Sequence, residues 1–82
     1  MKQVTLYTRS GCHLCAEAER VLLEEQAATP FQLELVDIDR DPELARRYGV
    51  RVPVVAVDGG DLFEYEVPVD LLRARLRRVG AD

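Results

Sequence analysis

The chain has 82 residues, 48% hydrophobic and 32% charged, with a formal net charge of −4. That length suits one domain over residues 1–82, and the composition is that of an ordinary globular protein. An acidic balance excludes broad nucleic-acid binding, which needs a basic footprint. No apolar run approaches the roughly 20 residues of a membrane span, so neither nucleic acid nor a membrane is expected as a partner.

Met1-Lys2-Gln3 leads straight into a strand pattern, with no signal peptide, and a cytoplasmic location is the expectation. Gln3 to Thr8 alternates apolar and polar residues and is expected as the first strand. Arg9-Ser10-Gly11 follows as a short polar turn, with the glycine placed where the backbone must come close to whatever meets Cys12.

His13 to about Ala27 has helical spacing, with Leu14, Ala18, Val21 and Leu22 as one apolar stripe. Glu17, Glu19, Glu24 and Glu25 fall mostly off that stripe and read as a solvated face. Thr29-Pro30 ends the helix. Phe31 to Ile38 reads as a second strand. The change of apolar parity at Val36 and Ile38 predicts a bulge or two-sided burial. Because a helix connects the two strands, a right-handed crossover and a parallel pair are expected.

Asp41 suits a helix N-cap and Pro42 the first helical position. The second helix is short and ends near Tyr48, with Gly49 as its stop and Leu44, Ala45 and Tyr48 as its buried edge. Val52 to Val57 is a strand opened by Pro53. Asp58-Gly59-Gly60-Asp61 is a hairpin turn, and Leu62 to Glu66 returns as the fourth strand. Pro68 opens the last helix, with Val69, Leu72, Leu76 and Val79 on one face and Gly80 at its end. The expected fold is α/β, in the order βαβαββα: a four-stranded mixed sheet with helices on both faces.

The only two cysteines, Cys12 and Cys15, sit three positions apart, where the first strand gives way to the first helix. The first N–H groups of a helix lack intrahelical partners, and the helix dipole is positive there. A thiol at that point ionises more easily, and the thiolate is the reactive form. Cys12 falls at or just before the first turn and Cys15 one turn further in, close enough to form a disulfide. One attacking and one resolving thiol make a reversible redox switch. In a reducing compartment a lone Cys-x-x-Cys is more often catalytic or metal-binding than structural.

This order, with Cys-x-x-Cys opening the first helix, resembles the thioredoxin superfamily, and the chain's size is closer to glutaredoxins than to thioredoxins. Tyr7-Thr8-Arg9-Ser10-Gly11-Cys12-His13-Leu14-Cys15 is similar to the glutaredoxin active-site segment, with Arg9 where a lysine commonly stands. Val52-Pro53 matches the family's Val-Pro, which implies a cis peptide bond facing the active site and a backbone offered to substrate by Val52. Asp70 falls where glutaredoxins carry an acidic residue opening the last helix. Two departures stand out. His13-Leu14 replaces the usual Pro-Tyr between the cysteines. Glu66-Val67 replaces the Gly-Gly pair at which the γ-glutamyl end of glutathione binds, and Gly59-Gly60 lies one strand earlier, in the hairpin.

The resemblance implies a disulfide reductase with Cys12 as nucleophile and Cys15 as resolving thiol. Its substrates would be protein disulfides or glutathione mixed disulfides, and a protein or small-thiol reductant would restore it. No cofactor is implied, and glutathione is at most a weak co-substrate. A monomer is expected. His13 is either an exposed helix-start residue or, when protonated, a modulator favouring the Cys12 thiolate. Arg9 is either a solvated turn charge or a partner for the thiolate or a substrate carboxylate. Arg73, Arg75, Arg77 and Arg78 read as a solvated basic face. The alternative function is a non-enzymatic module in which the cysteine pair holds zinc or an iron–sulfur cluster across a dimer, or a protein-interaction domain. One chain supplies too few ligands for a structural zinc site, and no metal is expected.

Overall fold

The computed structural model describes residues 2–77. Gln3–Thr8 forms β1, followed by helix α1 (His13–Ala28) and strand β2 (Gln32–Asp37). A 3₁₀ turn (Ile38–Arg40) leads to helix α2 (Pro42–Tyr48), the hairpin β3 (Val54–Val57) and β4 (Gly60–Glu64), and helix α3 (Val69–Arg77). The four strands make one sheet in the order β2-β1-β3-β4. β1 and β2 are parallel, with Leu6 opposite Leu35. β1 and β3 are antiparallel, with Leu6 opposite Val55, and β3 and β4 are antiparallel with a bulge between Val55 and Ala56.

The period-2 pattern of β1 and β3 builds two cores, because alternate side chains leave opposite faces of a strand. Val4, Leu6, Val55 and Val57 face Ala18 and Leu22 of α1 and Leu72 and Leu76 of α3. On the other face Val54 meets Ile38 and Tyr48, with Tyr7, Leu44 and Val52 packed against them. All four β3 residues are buried, as suits a central strand covered on both sides. Tyr7 and Tyr48 stack with ring centroids 4.2 Å apart. The Tyr48 ring also lies under the Arg47 and Arg51 guanidiniums, and burial pushes its phenol up to about 12.

Several expectations shift in detail. The buried stripe of α1 is Cys15, Ala18, Leu22 and Glu25, whereas Leu14 is 45% exposed. Glu25 is not on a solvated face. It is buried and receives two hydrogen bonds from Arg73 of α3, at 2.8 and 3.0 Å. The Arg73 guanidinium holds that carboxyl below its ordinary range. Arg73 therefore leaves the supposed solvated basic face and joins two helices.

The parity change at Val36 and Ile38 has another cause than a bulge in the second strand. The strand ends at Asp37, whose side chain accepts from the Asp39 N–H and caps the 3₁₀ turn that buries Ile38. The third strand begins at Val54 rather than Val52, and the fourth occupies Gly60–Glu64 rather than Leu62–Glu66. Asp58 (φ 52°) and Gly59 (φ 88°) are both left-handed, so the reversal takes two residues and β4 starts earlier. Asp41 caps α2 as expected, accepting from the Glu43 N–H. Arg78, Val79 and Gly80 lie outside the described residues. Among the described residues no helix is long and apolar enough to cross a membrane.

Candidate active site

Cys12 is the N-cap of α1, with extended backbone at φ −96° and ψ 110°. Its Sγ accepts the Cys15 N–H at 3.1 Å, the role a serine or aspartate oxygen plays at other helix starts. The two sulfurs are bonded, with the Cα atoms 5.2 Å apart, a common separation for a disulfide. Cys12 is half-buried, whereas Cys15 is 2% exposed. Of the two residues only Cys12 has appreciable exposure, because Cys15 is on the inward stripe of α1. Gly11 precedes the pair at φ +73°, a left-handed turn that glycine makes at no steric cost. Within the chain a Cβ there would meet nothing within 4 Å, so what the fold itself asks of Gly11 is its conformation.

Arg9, at the exit of β1, points toward the 3₁₀ turn and the end of α2. Its Nε and Nη2 donate to the two Asp39 oxygens at 3.2 and 2.7 Å, and Nη1 donates to the Gly49 carbonyl at 2.9 Å. Asp39 raises the guanidinium's pKa, and Arg9 in turn holds the Asp39 carboxyl below its ordinary range. Three of its five N–H donors are thereby used within the chain.

The turn that receives Arg9 runs Gly49-Val50-Arg51 and leads to Val52-Pro53, whose peptide bond is cis. Pro53 is buried, and Val52 packs its side chain against the Ile38–Tyr48–Val54 core. A third loop closes on the same turn. Tyr65 donates its hydroxyl to the Val50 carbonyl at 3.1 Å and its N–H to the Pro53 carbonyl at 2.8 Å. Arg51 bonds Glu64 at 2.5 Å and the Arg47 carbonyl at 3.1 Å. Tyr65 has φ 68°, a left-handed conformation costly for a bulky residue. The bonds at its amide and hydroxyl offset that cost.

Asp70 is exposed in the first turn of α3, beside Arg73. His13 is exposed at the start of α1, where together with Arg20, the stronger partner, it favours the ionised form of Glu17. The structure thus brings Cys12 and Cys15 together, places Pro53 and Tyr65 in one bonded unit, and engages Arg9 elsewhere. Among the described residues no group of three or more His, Cys, Asp or Glu side chains gathers as a metal-ligand set.

Sequence reasoning missed Tyr65, Asp39 and Glu25. Tyr65 sits in what reads as strand alternation, and no local signal marks its left-handed backbone. Asp39 stands 30 residues from Arg9, and Glu25 stands 48 from Arg73. A hydrophilic residue spaced seven after Ala18 on the inward stripe was the one available hint of Glu25's burial.

Residues 3–77 match the family described as Glutaredoxin-like domain (DUF836). The chain is 35% identical to the uncharacterized protein Rv0508 of Mycobacterium tuberculosis over 81 residues, 93% of this chain and 84% of that protein. It is similar to the solution structure of protein Ne2328 from Nitrosomonas europaea, with 34% identity, a TM-score of 0.79, and coverage of 90% of this chain and 89% of that one. A thioredoxin from Halobacterium salinarum aligns with a TM-score of 0.67 at 25% identity, over 92% of this chain and 71% of that one. With the mixed four-stranded sheet and the Cys-x-x-Cys pair at the first helix start, these likenesses place the chain in the glutaredoxin-like domain family of the thioredoxin superfamily.

Proposed function

We propose that this chain is a thiol–disulfide oxidoreductase that reduces protein disulfides or glutathione mixed disulfides. One observation carries the reading: a bonded Cys12–Cys15 pair at the start of α1, with Cys12 half-buried and Cys15 buried. In the reduced form the Cys12 thiolate would accept the Cys15 N–H seen at 3.1 Å. A hydrogen bond to a charged acceptor is about twice as strong as one between neutral groups, so the contact favours the anion. The helix start adds to it.

The Cys12 thiolate attacks one sulfur of a substrate disulfide. The S–S bond breaks, the leaving thiolate takes a proton, and a mixed disulfide with Cys12 remains. Cys15, one turn behind, loses its proton and attacks the Cys12 sulfur. The second substrate thiol leaves, and the Cys12–Cys15 bond forms. Two electrons pass from the pair to the substrate. A protein or small-thiol reductant then restores the dithiol. The Val52 side chain is committed to the core, so its backbone is what it offers an extended substrate segment. Arg9, tied to Asp39 and Gly49, serves this reading best by holding the Cys12 loop against the turn before Pro53.

The test is stoichiometric. Oxygen-free mixing of the reduced protein with a peptide disulfide should release two peptide thiols per chain and leave an intramolecular Cys12–Cys15 bond by mass spectrometry. In the reduced protein, iodoacetamide should label Cys12 well before Cys15, and Cys12 should titrate below the ordinary cysteine range. Absence of thiol release over hours would overturn the proposal.

A further inference from the structure

Beside the cysteine pair lies a groove of about 420 Å³ between α1 and the loop that joins β4 to α3. Leu14, Val21 and Val67 give it apolar walls, Tyr65 also lines it, and the exposed Glu17 and Glu66 stand on its rim. It adjoins the redox pair through Leu14, which lies between the two cysteines in the chain and lines the groove. Its other wall is tied to the cis-proline turn, because the Tyr65 N–H is bonded to the Pro53 carbonyl. Its walls are set before any ligand arrives, because Tyr65 is fixed at both amide and hydroxyl and Val67 packs on the main core.

Leu14 and Tyr65 remain 45% and 47% exposed and leave large apolar surfaces on the groove. The rim carboxylates differ. Glu17 is paired with Arg20, whereas Glu66 has no ion-pair partner among the described residues. The groove therefore has an apolar floor and one uncompensated negative charge at its mouth.

We infer that this groove selects the substrate of the proposed exchange reaction: a polypeptide cysteine flanked by an aliphatic side chain, which fills the groove, and by a basic one, which meets Glu66. The inference rests on the oxidoreductase reading. It names a basic polypeptide rather than a small anionic thiol as the partner. An aliphatic side chain gains by leaving water for the Leu14–Val21–Val67 walls, and a half-open groove recovers part of that gain, about tenfold in rate constant. A cation near Glu66 adds about threefold at low salt and less at high salt.

The experiment uses two symmetric octapeptide disulfides of matched reduction potential, one with leucine and arginine beside the cysteine and one with serine and glutamate. Reduced protein should reduce the first about tenfold or more faster, and E66K should remove the charge-dependent part of that preference. In parallel, the oxidised protein is titrated with the leucine–arginine peptide carrying serine in place of cysteine. Its amide shifts should move at Leu14, Val21, Tyr65 and Val67. Equal, measurable rates for the two disulfides, or shifts that avoid the groove while both are reduced, would overturn the inference and leave the exchange reaction standing. Shifts confined to the groove with neither peptide reduced would support the docking site and count against the exchange reading.

Discussion

Leu71 and Leu72 are neighbours in α3 with opposite environments, and truncating each in turn tests how that helix seats on the sheet. Leu72 is fully buried among Val4, Leu6, Leu22 and Val57, whereas Leu71 is 61% exposed. Leu72→Ala removes a packed side chain and leaves a cavity, which costs about 2.7–5 kcal/mol in comparable sites. A nine-residue helix can settle inward by a little, so about 3 kcal/mol is expected here. A domain of this length holds about 4–12 kcal/mol in total, so that loss is a large share. It should lower the urea midpoint by about 2–3 M and Tm by roughly 15 °C. Leu71→Ala should stay within about 0.5 kcal/mol of the parent. Urea unfolding followed by far-ultraviolet circular dichroism reads both, with an unchanged m-value as the control. Equal losses, or a larger loss for Leu71→Ala, would mean that α3 is rotated from the placement described.

Two further outcomes follow from the site and its supports. Glu25→Gln should lower Tm at neutral pH, and its deficit should shrink in acid. Arg73 depresses the folded-state pKa of Glu25, so the stabilisation is complete above the ordinary carboxylate value and is lost as pH falls through the lowered one. A deficit that stays constant across that window would deny the ion pair. Glutathione should reduce the Cys12–Cys15 disulfide more slowly than a dithiol protein donor at matched driving force. Val67 fills space that a glycine would leave open, Pro68 has no N–H to offer a carboxylate, and Glu66 repels an anionic ligand. Fast, saturable turnover at low glutathione concentration would contradict this.

Much of the fold is legible because local signals and burial agree. Val4 and Leu6 alternate correctly, Asp41-Pro42 opens a helix, and Asp58-Gly59 turns a hairpin. The Cys12–Cys15 pair is legible for the same reason: spacing and helix position put the two sulfurs within disulfide reach without tertiary information. The rest depends on partners distant in sequence. Glu25 reads as a surface charge until Arg73 is seen against it. Leu14 reads as core because it is apolar, yet the inward position belongs to Cys15, whose sulfur takes the space. Arg9 reads as either a solvated turn charge or a partner for the thiolate or a substrate carboxylate, and only the folded chain shows its bonds to Asp39 and Gly49. Tyr65 gave no cue at all, since a left-handed tyrosine depends on bonds to Val50 and Pro53 across the turn.

The central claim is that Cys12 attacks and Cys15 resolves. Trapping tests it most directly: Cys15→Ser and Cys12→Ser proteins, reduced and mixed with the same peptide disulfide, then quenched with acid and weighed by mass spectrometry. Cys15→Ser should accumulate a stable mixed disulfide through Cys12, because the resolving thiol is gone. Cys12→Ser should accumulate almost none, because the remaining thiol at Cys15 is buried. Equal trapping by both variants, or trapping by Cys12→Ser alone, would contradict the account.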